Sequence, residues 1–267
     1  LVGSDQLWLP AGLSTNFYNL NFASDNAIKI SYATSFGVSK IPSYQRKKTA
    51  DYLKRIQFLS VREQKGVQII KDIAKRDAEL VVDPTLLLTE EEWCSFIPPK
   101  KIIEDEYIFV YFIGNNPSQR KKVEELKEKT DLKIVVLRHI DEYIPEDEKF
   151  GDIGLYDVGP AEFVNLIRNA NFVCTDSFHG SVFSIINQKQ FIVFNRFDDS
   201  EKNSTNSRID SLCNILELQE RRFNKNLDIY DQMETPIDYK ETNEKLTKLR
   251  ESSMLFLEKA FSSIKDM

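Results

Sequence analysis

Three short stretches of the chain carry residues able to meet an anion. In Phe58-Leu59-Ser60-Val61-Arg62-Glu63, Ser60 followed three residues later by Glu63 fits a capping box and predicts a helix start with Arg62 in its first turn. A cation there opposes the helix dipole. It becomes favourable when an anion sits in front of the helix, held jointly by backbone N–H groups and the guanidinium. A surface arginine paired with a neighbouring carboxylate is the alternative reading.

The second stretch runs Phe172-Val173-Cys174-Thr175-Asp176-Ser177-Phe178-His179-Gly180-Ser181. A buried strand ends near Asp176, and apolar Phe178, Val182, Ile185 and Ile186 predict a helix capped by Asp176 or Ser177. His179 then falls in the first turn, beyond the carboxyl end of a parallel strand, where open α/β sheets bind ligands. An imidazole so placed can hold a phosphate or deliver a proton. A histidine bonded to backbone at a helix start is the alternative. His139, the second of the 2 histidines, reads as structural. The third stretch, Asn203 to Asp210, sends Arg208 into another helix capped by Asn206 or Ser207 and repeats the logic of Arg62, against a solvated arginine. Gly114-Asn115-Asn116 is a weaker phosphate-loop signal, and the acidic run Asp141 to Glu148 reads as a solvated loop.

These groups need elements to position them. Continuously apolar runs at 27–33, 58–61, 80–82, 107–113, 133–139, 172–175 and 191–195 read as strands buried on both faces. Amphipathic stretches at 44–55, 63–75, 119–130, 161–169, 180–187 and 207–216 read as helices between them. That alternation predicts a parallel α/β sheet. Pro98-Pro99 fits neither element type and marks a break between two halves. The predicted organisation is a first Rossmann-like domain over 1–88, a linker over 89–105, a second Rossmann-like domain over 106–237, and C-terminal helices over 238–267 laid on a domain surface. The chain opens at Leu1 without an initiator Met and reads as the tail of a buried strand, so an N-terminal part of the first domain is expected to be missing.

The balance of 36 basic against 42 acidic residues argues against a nucleic-acid partner. Hydrophobic residues at 41% and aromatics at 11% exclude a disordered chain. No apolar run approaches the roughly 18 residues of a membrane span. Cys94, Cys174 and Cys213 lie far apart, with neither a disulfide framework nor a metal-ligand cluster, which points to a reducing compartment. No metal is expected.

Six motifs occur in order: Val2 to Trp8, Ile30 to Gly37, Ser60 to Glu63, Val82 to Thr85, Thr175 to Gly180, and Asn206 to Ile209. Over about residues 1–220 the chain resembles the polysaccharide pyruvyl transferase family. The resemblance implies a GT-B-like architecture of two Rossmann-like domains, the second binding the donor. It implies transfer of a pyruvyl group from phosphoenolpyruvate to a sugar of a cell-surface polysaccharide or its precursor, leaving a pyruvate ketal, with no cofactor besides that donor substrate.

By the same resemblance, Arg62 would hold the donor's carboxylate or phosphate, His179 would be the donor-binding or acid residue, and Gly3, Asp5 and Ser177 would line the substrate site. Many members carry Arg two positions before that His, where this chain has Ser177; Arg208 is the candidate replacement. The implied partners are a small-molecule donor and a sugar or lipid-linked oligosaccharide acceptor, in the cytoplasm or at the inner face of the membrane. A GT-B glycosyltransferase using a nucleotide sugar, and an inactive binding module, are the rival readings.

Overall fold

A computed structural model describes residues 1–139, 143–197 and 204–265. In chain order the elements are β1 (Ile30–Thr34), α1 (Arg46–Lys54), β2 (Phe58–Val61), α2 (Gln64–Ala74), β3 (Glu79–Leu80), α3 (Pro84–Leu87) and α4 (Glu90–Phe96), then β4 (Tyr107–Tyr111), α5 (Pro117–Thr130), β5 (Lys133–Leu137), β6 (Ile153–Leu155) and α6 (Pro160–Asn169). They continue with β7 (Phe172–Thr175), α7 (Phe178–Ile186), β8 (Gln190–Val193), α8 (Ser207–Leu216), α9 (Ile229–Glu234) and α10 (Tyr239–Lys265). The chain forms two compact α/β units with parallel sheets.

The first unit takes residues 1–87 together with the described parts of 200–216 and 240–267. Its sheet runs β1-β2-β3, and Val2 and Asp5 bridge Ser31 and Thr34 in parallel on the outer side of β1. On one face Leu53 of α1, Ile56 just after it, and Ile69 and Ile70 of α2 pack with Trp8, Phe36 and Val61. On the other, Phe256 and Ala260 of α10 meet Ile30, Tyr32 and Val81. Each buried aliphatic or aromatic side chain contributes about 1.5–3 kcal/mol, so α10 is an integral layer of this unit.

The second unit takes 88–199, within its described residues, and 217–239. Its sheet is β6-β5-β4-β7-β8, all parallel. The chain starts at β4, steps outward through β5 and β6, then crosses back to β7 and β8. That reversal places a topological switch point between the carboxyl ends of β4 and β7. Val123 and Leu126 of α5 with Ile229 and Met233 of α9 cover one face. Phe163 of α6 covers the other, edge-on to Phe109 and Phe183 at 6.0 Å each.

Several expected bounds move, each for a local reason. The run at 107–113 stops pairing at Tyr111 because the Ile113 and Gly114 N–H groups turn to the Asp176 carboxylate. The run at 80–82 loses its ladder after Leu80, where the Val82 N–H donates to Ser253 Oγ at 3.0 Å. The stretch 89–105 holds α4, whose Thr89 and Glu92 form a complete capping box, and Trp93 packs on Phe183 at 5.1 Å. The expected second domain over 106–237 included α8; compactness groups α8 with the first unit, where Ser211 Oγ accepts the Gln64 N–H at 3.0 Å. The expected C-terminal helices are the single α10. No helix among the described residues is long and apolar enough to cross a membrane.

Candidate active site

In the first unit, polar groups gather beyond the carboxyl ends of β1 and β2. Arg62 follows β2 directly. Its Nη1 donates to Asp83 Oδ2 at 2.6 Å and to Ser4 Oγ at 3.3 Å, and its Nη2 to Asp5 Oδ1 at 3.2 Å. Ser4 Oγ donates to Asp83 Oδ2 at 2.7 Å and lies 3.1 Å from the Ala33 carbonyl, while Asp83 Oδ1 accepts from Thr85 Oγ1 at 2.7 Å. Arg62 is therefore a buried anchor of the Gly3–Asp5 loop rather than a surface arginine. Asp5, with φ of 77°, presents a carboxylate that is 64% exposed. A Cβ on Gly3 would meet nothing within 4 Å, so packing does not demand glycine there.

The capping box expected at Ser60 and Glu63 does not form. Ser60 Oγ donates to the Ser31 carbonyl at 2.7 Å and accepts the Ala33 N–H at 3.1 Å, so it fastens β2 to β1. Glu63 is the N-cap of α2 but makes no side-chain cap; its carboxylate accepts from Ser35 Oγ and from the Phe36 and Gly37 N–H groups at 2.6–3.1 Å. Arg62 accordingly lies before the helix, not in its first turn. Ala33 takes φ of 55° within β1 where the register with β2 shifts. A non-glycine residue in the left-handed region stores strain, and such positions cluster where structure serves a site.

In the second unit the polar groups surround the switch point. Asp176 leaves β7 and accepts the Ile113 and Gly114 N–H groups at 2.7 and 2.8 Å, tying the loop after β4 to the start of α7. Those amides are committed to Asp176, so the Gly114 loop does not offer them to a phosphate. Burial is the largest influence on Asp176 and pushes its carboxyl above the ordinary value; the two N–H donors oppose this. Ser177 is the N-cap of α7, its Oγ accepting the Gly180 N–H at 3.3 Å. His179 is half-buried in the first turn, with its ring edge-on to Phe178. Gly180 is dictated by a close approach: a Cβ there would lie 2.4 Å from Thr175 Oγ1.

Arg196, passed over in the sequence, is a second cation on this rim. It lies three residues beyond the end of β8, whose Val193 pairs with Thr175 at the end of β7. Its side chain borders Gly114, and its charge acts on Asp176. The signal was available, since a strand over 191–195 puts the next residue at its carboxyl end. Arg208 belongs instead to the first unit, on α8. It is buried, and its Nε and Nη2 donate to the carbonyl and hydroxyl of Thr205 at 3.2 Å each. It is neither a solvated arginine nor in the unit that holds Ser177. Asn203 and Asp141 to Glu142 lie outside the described residues. The rest of the acidic run is not a solvated loop throughout, because Asp147 is buried against Arg120 at 2.6 Å.

A Rossmann-like sheet with an imidazole and a guanidinium beyond neighbouring strand ends is an α/β protein suited to an anionic ligand. The chain belongs to the polysaccharide pyruvyl transferase family, whose model matches residues 1–199. That is a family of enzymes. Among solved structures, UDP-GlcNAc 2-epimerase from Methanocaldococcus jannaschii is 13% identical, covering 87% of this chain and 73% of its own, with a TM-score of 0.46. UDP-GlcNAc 2-epimerase from Neisseria meningitidis, bound to UDP-GlcNAc, is 11% identical over 94% of this chain and 75% of its own, TM-score 0.49. The wall teichoic acid polymerase TagF is 12% identical over 91% and 69%, TM-score 0.45. No curated protein matches.

Proposed function

We propose that this protein transfers the pyruvyl group of phosphoenolpyruvate to a sugar of a surface polysaccharide or its precursor. The observation that carries the reading is the placement of His179 in the first turn of α7, after β7, and of Arg196 after the neighbouring strand β8, in a chain of this family. A proton added to the methylene carbon turns C2 of the donor into an oxocarbenium-like centre. One sugar hydroxyl adds to C2 and loses its proton. A second hydroxyl then attacks C2, its proton leaving with inorganic phosphate, and closes the ketal.

His179 is the group we assign to deliver the proton, and Arg196 the group that holds the departing phosphate. Arg196, not Arg208, supplies the cation that Ser177 does not. Arg62 serves as a positioning residue for the Gly3–Asp5 loop, whose exposed Asp5 carboxylate can accept a hydrogen bond from a ligand hydroxyl. Gly3 leaves room for close approach of a ligand. The reading assigns the protein to the cytoplasm or the inner face of the membrane.

Calorimetry with phosphoenolpyruvate and with UDP-GlcNAc tests the donor. The expected result is binding of phosphoenolpyruvate alone, unchanged by EDTA. Binding of UDP-GlcNAc alone establishes the glycosyltransferase reading instead, and binding of neither establishes an inactive module.

A further inference from the structure

The first unit holds a cavity of about 380 Å³ between the segment after Trp8 and the start of α1. Six of its lining residues define its chemistry: Asn19, Tyr44, Gln45, Lys48, Thr49 and Tyr52. Four offer neutral amides or hydroxyls, and Tyr44, 82% exposed, offers an aromatic ring to solvent at the wall. Lys48 is the single charged residue in the lining. Gln45 donates through Nε2 to the Pro10 carbonyl at 3.1 Å, while its buried Oε1 has no hydrogen-bond partner among the described residues. A buried acceptor without a donor is costly, and a ligand hydroxyl would relieve it.

The segment that supplies Asn19 also carries Phe17, Tyr18 and Phe22, exposed by 60%, 44% and 68%. Phe17 stacks on Phe22 at 5.5 Å and meets Tyr18 edge-on at 5.4 Å. Clustered exposed aromatics mark binding surfaces, since leaving them in water is unfavourable. Aromatic faces together with neutral amides and hydroxyls match a pyranose, which has an apolar C–H face and a rim of hydroxyls. A dianionic ligand would find one lysine.

We propose that this cavity is a saccharide subsite, taking one sugar ring against Tyr44 with the Phe17–Phe22 cluster available to a longer glycan. Its role as the acceptor subsite rests on the pyruvyl-transfer reading; the binding of sugar does not. Saturation-transfer NMR on the whole chain tests it, with lactose and methyl mannopyranoside as probes, uridine as control, and no donor present.

The expected result is transfer to a sugar ring that falls about fivefold or more in Tyr44→Ala, is kept in Tyr44→Phe, and is unaffected by Phe96→Ala in the second unit. Tyr44 is exposed enough that its truncation spares the fold. Absence of transfer to either sugar, equal transfer in Tyr44→Ala, or transfer to uridine alone overturns the proposal. The ³¹P resonance of phosphoenolpyruvate, added afterwards to the same sample, reports the donor separately. Sugar transfer lost with donor binding intact removes this inference and leaves the pyruvyl reading. Sugar transfer intact with donor binding lost does the reverse.

Discussion

Arg62 and Asp83 form an ion pair 2.6 Å long with side chains only 1% and 2% exposed. A charge pair so dry is held by geometry, because each member removed from water needs the other. The Asp83 carboxylate also joins Ser4 and Thr85, so one buried carboxylate fastens the N-terminal loop and the start of α3. The expectation that Arg62 faces an anionic ligand therefore meets a competing occupant, Asp83 itself.

Arg62→Lys is expected to lower thermal stability measurably, since an ammonium does not reproduce a fork shared among Ser4, Asp5 and Asp83. Arg62→Ala should cost about 3–5 kcal/mol, the usual penalty for leaving a buried charge unpaired. Thermal melts of Arg62→Ala, Asp83→Ala and the double variant check this. Strong non-additivity is the expected signature, and additive losses would show that the two residues act independently.

Gly180→Ala should destabilise by about 1–3 kcal/mol through overpacking, although alanine is the better helix former. The reason is Thr175 Oγ1, 2.4 Å from the added methyl group, on a side chain fixed by its bond to the Tyr111 carbonyl at 2.7 Å. Denaturant melts check the sign. A stabilised Gly180→Ala would mean that α7 shifts freely and that the glycine is there for another reason.

Much of this was legible in the sequence. Strands at Phe58–Val61 and Phe172–Thr175, and the helix Ser207–Leu216, stand where apolar runs meet clear breaks. His179 was legible for the same reason, since a strand end followed by a cap fixes the first helical turn. The edge strand β6 was not: Ile153-Gly154-Leu155 is short and carries a glycine, so it has no periodicity to read. Nor was the Ser60 bond to β1, because a capping box and a cross-strand clasp use the same residue types, and tertiary contact decides between them. The return of α8 and α10 to the first unit depends on contacts over some 150 residues, which no local pattern encodes.

Asp176 gives a pH dependence with a definite sign. Burial, the larger influence, raises its carboxyl above the ordinary 3.8. The native state then keeps a proton to higher pH than the unfolded chain does. Between the ordinary value and the raised native one, this group's contribution to stability grows as pH falls and is lost as pH rises. The stability difference between wild type and Asp176→Asn should therefore move in favour of wild type on acidification through that window. A difference that moves the other way would show that the Ile113 and Gly114 donors outweigh burial.

His179 and Arg196 are expected to separate chemistry from binding. A guanidinium on the donor phosphate makes a charge-assisted contact worth about 1.5–3 kcal/mol, so Arg196→Gln should raise the donor KM by about ten- to a hundredfold. Its kcat should change less, because the contact exists before and after the proton moves. His179→Gln keeps a side-chain donor of similar reach but cannot act as a general acid. Its kcat should fall by about 10²–10⁴ at saturating donor, with KM changed less. Steady-state kinetics of phosphate release, with the sugar acceptor in excess, read both quantities. A His179→Gln enzyme with normal kcat and a raised KM would make His179 a phosphate ligand, moving the acid to another residue. Normal values of both in Arg196→Gln would remove Arg196 from the site, leaving the cation beside Ser177 to be found elsewhere on the rim.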